Sequence, residues 1–171
     1  AELDTPFYSF FIWTAIAGIL NVVVNLAQRL MINYLFTGTE YGTPRNILAY
    51  ASQVFACTHT FGKVCGILNR FTAVYFPLKR IWTRRMTIGA NVFNFALPAV
   101  VYSFMCFQQA VFLPDASGRM TYVGPAYYDV AKAIGFGHYA VFFFLGLPIS
   151  ILSVCKLHAF TSRALARTEQ S

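Results

Sequence analysis

Four long apolar runs separated by polar loops dominate the chain. They cover about residues 7–32, 47–75, 87–113 and 130–157. The hydrocarbon core of a bilayer is about 30 Å thick and needs roughly 20 helical residues to cross it, and each run reaches that length. The pattern therefore predicts an all-α membrane protein, with four transmembrane helices in a single transmembrane domain over residues 1–171.

Prolines and glycines mark the starts, bends and connections of these runs. Thr5-Pro6 precedes the first run and is typical of a helix start. Pro98 and Pro148 lie inside the third and fourth runs and are predicted to bend them. The loops that follow the first and third runs are rich in glycine, which is typical of turns.

Composition favours a membrane protein over a nucleic-acid-binding one. Apolar residues make up 57% of the chain and charged residues 11%, whereas a soluble domain carries about 25% charged residues. The formal net charge of +7 would suggest a nucleic-acid partner in a soluble chain. Here the cations lie in short loops between apolar runs, so we expect a lipid bilayer as partner and no nucleic acid.

The distribution of Lys and Arg predicts the direction of the runs. One side of the predicted bundle holds Arg70, Lys79, Arg80, Arg84, Arg85, Lys156, Arg163 and Arg167. The other side holds Arg45 and Arg119, with Arg29 and Lys132 at helix ends. The positive-inside rule makes the richer side cytoplasmic. Arg70 then lies at the cytoplasmic end of the second run, and the basic loop of Lys79, Arg80, Arg84 and Arg85 offers a surface to anionic lipid or to a cytoplasmic protein.

The second run ends in the stretch LNRFTAVYFPLKRIW, residues 68–82. It resembles the end of the third helix in nematode serpentine chemoreceptors of classes V and G, in which a Leu-Asn-Arg core is followed by a proline and then by Ile-Trp. The stretch PFYSFFIWTAIAGILN, residues 6–21, is similar to their second helix, where an aspartate commonly lies at the position of Gly18. The resemblance matches the chain to helices two to five of a seven-helix receptor.

This resemblance implies a function for the triplet Asn69, Arg70 and Phe71. These residues stand where rhodopsin-like receptors keep an acid-Arg-aromatic motif that meets a heterotrimeric G protein. Because Asn69 replaces the acid, an acid–arginine pair within the helix cannot form. The resemblance therefore implies a multi-pass chemosensory receptor in the plasma membrane of sensory cells, which passes an external small-molecule signal to a G protein.

A ligand pocket is predicted on the outer part of the second run. Its candidate residues are Ser52, Gln53, Cys57, His59 and Lys63. Ser52 lies about 27 Å from Arg70 along a helix with a rise of 1.5 Å per residue. His59 and Lys63 are four residues apart and share a face, and a lysine within a span is expected to face the bundle interior or water. Polar residues in spans also pack or bond across helices without binding a ligand.

Other functional classes have less support. The sequence contains no GxSxG, HExxH or phosphate-cradling loop, so we expect no enzyme activity. Its four cysteines and three histidines show no zinc-binding spacing, and no metal or cofactor is expected. The alternative is a non-receptor polytopic membrane protein, such as a transporter or scaffold, in which Arg70 only anchors its helix. No signal peptide is expected, and the sequence is expected to be a piece of a longer protein.

Overall fold

The computed structural model describes residues 5–30, 42–76, 81–107, 112–118, 120–122 and 127–168. Three long helices come first: α1 Thr5–Leu30, α2 Gly42–Tyr75 and α3 Arg84–Val101. A 3-10 turn, Ser103–Cys106, and an antiparallel hairpin of β1 Phe112–Pro114 and β2 Met120–Tyr122 follow. The chain then continues through α4 Tyr127–Val141, a π-helical segment Phe142–Gly146 and α5 Leu147–Thr168.

The predicted helical class is confirmed, but the third predicted helix is too long. It was expected over residues 87–113, whereas α3 ends at Val101 and residues 112–114 form a strand. Proline 98 has no N–H to bond the carbonyl of Asn94 one turn earlier. That carbonyl instead accepts a hydrogen bond of 3.2 Å from the Thr58 hydroxyl on α2. The chain leaves the helix one turn after Pro98, with the Tyr102 N–H bonded to the Pro98 carbonyl at 2.9 Å.

The proline in the fourth run is accommodated differently. Instead of ending, the helix widens into the π-helical segment just before Pro148, where the Leu147 N–H bonds the Phe142 carbonyl five residues back. Such bulges insert into a helix without breaking it. Gly146 closes this segment against α2, and a Cβ there would lie 3.6 Å from Ile67. The helical structure of the fourth run is therefore continuous up to and beyond Pro148.

Within the described residues, two stretches are long and apolar enough to cross a membrane, Pro6–Leu30 and Asp129–Ser162. Large apolar side chains on both are exposed, including Val22, Phe136 and Phe144. Exposed apolar faces of this size are unfavourable in water and suit a lipid environment. These two helices support membrane association. The arrangement with four spans stays a prediction.

Helix α2 lies at the centre and packs against α1, α3, α4 and α5. Its core cluster joins Val54 and Cys57 to Tyr102 and Met105 beyond the end of α3, and to Ala131 on α4. Against α1 the fit depends on two glycines. The Thr14 side chain lies directly over Gly62, and the His59 ring lies over Gly18, where a Cβ would be 2.8 Å from Nδ1. Small residues of this kind let two helices approach closely.

Candidate functional site

Arg70 lies at the end of the bundle that the distribution of basic residues predicts to be cytoplasmic, called the inner end below. This arginine is exposed near the end of α2, and its Cζ lies 4.2 Å from the ring centroid of Phe7 on α1. The Phe7 ring also stacks on Phe11, with centroids 6.4 Å apart. A cation over an aromatic face at an exposed site is stabilised by about 0.5–1 kcal/mol. The neighbouring Asn69 is buried, with 7% of its surface exposed. Asn69 therefore faces the interior of the bundle, whereas Arg70 is accessible at its surface.

Trp82 closes this end of the bundle from the loop before α3. Its indole N–H donates to the Thr72 hydroxyl at 3.0 Å, and that hydroxyl donates to the Asn69 carbonyl at 2.9 Å. The ring meets Phe10 of α1 edge-on, with centroids 5.1 Å apart. Phe10 is 1% exposed. Trp82 therefore connects the beginning of α1 and the end of α2 next to Arg70.

The third residue of the motif belongs to a second aromatic group that reaches α5. Phe71 stacks on Tyr75 one turn later, with centroids 4.4 Å apart. The Tyr75 hydroxyl donates to the Leu152 carbonyl at 3.2 Å, and the Lys156 ammonium lies 3.8 Å from the Tyr75 ring centroid. The Tyr75 side chain, close to the Asn-Arg-Phe triplet, thus joins the end of α2 to α5.

Two cations of the predicted basic loop begin α3. Arg84 and Arg85 are exposed in its first turn, after Thr83, whose hydroxyl accepts the Met86 N–H at 3.3 Å. Lys79 and Arg80 lie outside the described residues. A positive charge near a helix N-terminus is unfavourable with respect to the helix dipole. Helix stability therefore does not explain these arginines.

The predicted ligand-pocket residues point to different neighbours. Ser52 is buried and donates to the Asn25 side chain on α1 at 3.1 Å. His59 also faces α1, where its Nδ1 lies 2.9 Å from the Thr14 carbonyl oxygen. Because these two side chains connect α2 to α1, their polar groups are engaged in helix packing.

The other three candidates do not join them. Cys57 is buried in the core cluster with Tyr102. Gln53 is half-buried, and its Oε1 approaches Gly135 on α4 at 4.0 Å from an ideal Cβ position. The side chain of Lys63 is exposed. The structure therefore brings Ser52 and His59 together at the α1–α2 interface. Cys57 lies in the core cluster, Gln53 lies near α4, and Lys63 is exposed.

A cavity that the sequence analysis did not identify lies between α1, α2 and α3. It measures about 50 Å³, and Trp13, Phe55, Phe95, Asn91 and Asn94 are among its lining residues. Both asparagines bond to neighbouring helices: the Asn91 amide donates to Ser9 of α1 at 3.0 Å, and the Asn94 amide donates to the Cys65 sulfur of α2 at 3.5 Å. Their spacing of three residues on an otherwise apolar helix is the signal that could have indicated a polar wall.

Tyr102 of the core cluster and His138 of α4 have buried polar atoms without a hydrogen-bond partner among the described residues. Tyr102 is fully buried, and its hydroxyl has no partner among the described residues. His138 on α4 is 4% exposed, and neither ring nitrogen makes a hydrogen bond of good geometry within the described part of the chain. Buried polar groups without partners are rare and unfavourable.

No model of a known protein family matches the chain, and no curated protein matches it either.

Proposed function

We propose that this chain forms helices two to five of a seven-helix chemosensory receptor, which couples an external small molecule to a heterotrimeric G protein. The observation that carries the proposal is Arg70, exposed at the end of α2 and stacked on Phe7 of another helix. A residue that only anchored its helix would need no aromatic partner on a neighbouring helix. The resemblance of residues 68–82 to the serpentine chemoreceptor motif supports the same role.

Signalling in this proposal is a shift between two arrangements of the inner helix ends. The Arg70–Phe7 contact contributes about 1 kcal/mol or less at an exposed site, so this contact by itself opposes release of the guanidinium only weakly. The released Arg70 then meets the G protein. An external ligand drives this change only by binding the open arrangement more tightly than the closed one.

The proposed coupling surface extends to α5 and to the basic loop. The hydrogen bond from Tyr75 to Leu152 holds α5 close to the motif in the described arrangement. Movement of α5 would break this bond and uncover the Phe71–Tyr75 stack. Arg84 and Arg85 lie at the same predicted face and supply positive charge for anionic lipid headgroups or for acidic residues of the partner.

Basal nucleotide exchange on G proteins, measured in membranes that contain the chain within its complete reading frame, tests the proposal. We expect Arg70→Ala to abolish exchange above background, while Arg70→Lys keeps part of it because a charge remains. Lys63→Ala is the matched control on the same helix, since its side chain is exposed outside the proposed surface. Exchange insensitive to Arg70, together with substrate flux that depends on Lys63, would instead identify a transporter.

A further inference from the structure

The cavity between α1, α2 and α3 combines aromatic walls with amide groups. Its volume of about 50 Å³ corresponds to about four water-sized positions. The rings of Trp13, Phe55 and Phe95 form apolar walls. The polar lining residues are Thr14, Thr58, Asn91 and Asn94. This is the composition of a small-molecule site, in which apolar surface gives affinity and a few polar groups give orientation.

The amide of Asn94 has hydrogen-bonding capacity to spare. Asn94 is 8% exposed. Among the described residues, its side chain forms hydrogen bonds only with the Cys65 thiol, whose sulfur lies 3.5 Å from Nδ2 and 3.8 Å from Oδ1. A thiol is a weak donor and a weak acceptor, whereas the amide offers two N–H donors and a carbonyl. A buried amide in this condition is stabilised by any molecule that brings a hydroxyl or carbonyl group into the cavity.

The lining also determines the charge of an occupant. The described lining residues include no Asp, Glu, Lys or Arg, so a charged molecule would lose its hydration without compensation. Trp13 and Phe95 are 56% and 49% exposed, which places the mouth of the cavity between α1 and α3. In the proposed membrane arrangement this mouth faces acyl chains, so an occupant arrives through the bilayer.

We propose that this cavity binds a small neutral amphiphile with one hydroxyl or carbonyl head, such as a short-chain alcohol, ketone or ester. The head group bonds the amide of Asn94, and the apolar body packs between Trp13, Phe55 and Phe95. This inference goes beyond the proposed function, because binding here requires neither a G protein nor Arg70.

Trp13 supplies a direct reporter, because the chain contains two tryptophans, Trp13 and Trp82. The test uses the full chain in lipid nanodiscs with Trp82→Phe, which leaves Trp13 as the sole fluorophore. The probe is tribromoethanol, whose bromines quench indole emission on contact. We expect saturable quenching that butanol reverses by competition. The matched control, Trp13→Phe, keeps only Trp82 outside the cavity and should show no saturable component.

Two variants test the head-group and body contacts separately. Asn94→Leu keeps the side-chain size and removes the amide, and we expect affinity for tribromoethanol to fall about tenfold, the equivalent of one hydrogen bond. Asn25→Leu removes an amide outside the cavity and should leave affinity unchanged within about twofold. Phe95→Ala shortens a wall residue that is half exposed, so it is expected to fold and to weaken quenching even if Asn94→Leu does not fold.

Three results would overturn the proposal. Quenching that rises linearly with probe and is equal in all variants would show simple partition into lipid. Quenching unchanged in folded Asn94→Leu would exclude the amide as the binding group. Saturable quenching of Trp13 that butanol does not reverse would show that the probe does not occupy a site for short-chain alcohols. The assay contains no G protein, so failure of the proposed coupling leaves its outcome unaffected, and the reverse also holds.

Discussion

The guanidinium of Arg70 lies over the ring of Phe7, with Cζ 4.2 Å from the ring centroid. The two residues belong to different helices, near the end of α2 and near the beginning of α1. The guanidinium thus contacts an aromatic ring of a neighbouring helix. Such a contact is weaker than a buried ion pair, and it responds to ring size and polarisability rather than to protonation.

We predict that Phe7→Leu raises basal G-protein nucleotide exchange. Leucine retains apolar bulk but has no ring, so the closed arrangement loses about 0.5–1 kcal/mol. This loss shifts the two-state equilibrium about two- to five-fold toward the open arrangement. The measurement is basal exchange in membranes, normalised to the amount of protein at the surface.

Two variants of neighbouring residues serve as controls for this prediction. Phe7→Tyr keeps an aromatic face and should leave basal exchange near that of the unmodified chain. Tyr8→Leu removes an exposed ring of the adjacent residue, which is not the ring under Arg70. Equal effects of Tyr8→Leu and Phe7→Leu would contradict a specific role for the stack.

Trp82 and Thr72 should stabilise the fold as a pair. Their hydrogen bond of 3.0 Å is lost in Trp82→Phe and in Thr72→Val, and each change is expected to lower the free energy of unfolding by about 1 kcal/mol. The double variant should lose less than the sum, because both substitutions remove the same bond. Thr72→Ser, which keeps a hydroxyl, is the control. Thermal unfolding in detergent, followed by helical circular dichroism, measures all four variants, and strict additivity would contradict the pairing.

The helices and the position of Arg70 could be predicted from apolar run length, because a spanning helix needs continuous hydrophobicity. The end of α3 could not, since residues 102–107 are as apolar as the helix before them. There the end of the helix depends on Pro98 and on the Thr58 hydroxyl of α2, which bonds the carbonyl that the proline leaves without a partner in its own helix. A contact between two helices is a tertiary effect. The β-hairpin depends on a local turn, in which Gly118 has a φ of 75° and the Asp115 carboxylate accepts the Ser117 N–H. Glycine is favoured at such a φ.

The partners of the candidate site were also beyond prediction from the sequence. Apolar periodicity identifies a face of a helix but not which ring of another helix meets it. Phe7 and Trp82 were therefore not identified as neighbours of the motif, although both were within the stretches that resemble the chemoreceptors. The predicted ligand residues shared one helix, and residues of one helix face several neighbours when that helix is central. Prediction of the cavity would have required the relative positions of three helices.

Thiol labelling can test the four-span arrangement. Ala116 lies in the exposed turn of the hairpin and Ser162 is exposed near the end of α5. With Cys106 and Cys155 replaced by Ser, we expect a membrane-impermeant maleimide to label Ala116→Cys in intact cells. We expect Ser162→Cys to be labelled only after permeabilisation, because the basic side is cytoplasmic. Labelling of both positions in intact cells would contradict the predicted topology.

Two tyrosines face the same part of the core. Removal of the hydroxyl should change the free energy of unfolding in opposite directions at these two positions. The Tyr50 hydroxyl donates to the Ala99 carbonyl at 3.0 Å, so Tyr50→Phe is expected to lower the free energy of unfolding by about 1 kcal/mol. The Tyr102 hydroxyl is buried without a partner among the described residues. Tyr102→Phe should therefore raise the free energy of unfolding by about 1 kcal/mol, because the hydroxyl no longer has to be desolvated. Denaturant titration of both variants in the same micelles gives the comparison, and destabilisation by Tyr102→Phe would reveal a partner for its hydroxyl.

The contact of Gly18 with His59 leaves little space for the aspartate that the predicted resemblance would place there. The His59 ring fills the space where a side chain at position 18 would begin, with Nδ1 2.8 Å from an ideal Cβ. We therefore expect Gly18→Ala to lower the free energy of unfolding by about 1–3 kcal/mol, the usual cost of overpacking. In the His59→Ala background the ring is absent, and Gly18→Ala should then cost less than about 0.5 kcal/mol.

Gly66 on α2 provides the matched control, because a Cβ at that position meets nothing within 4 Å among the described atoms. Gly66→Ala should be neutral or stabilising by up to about 1 kcal/mol, since alanine favours a helix more than glycine does. The measurement is again thermal unfolding in detergent. If Gly18→Ala and Gly66→Ala behaved alike, or if His59→Ala failed to rescue Gly18→Ala, the fit of the histidine over the glycine would not determine the α1–α2 interface. Rescue by His59→Ala would show that these two positions have to change together, so that an aspartate at position 18 requires a smaller residue at position 59.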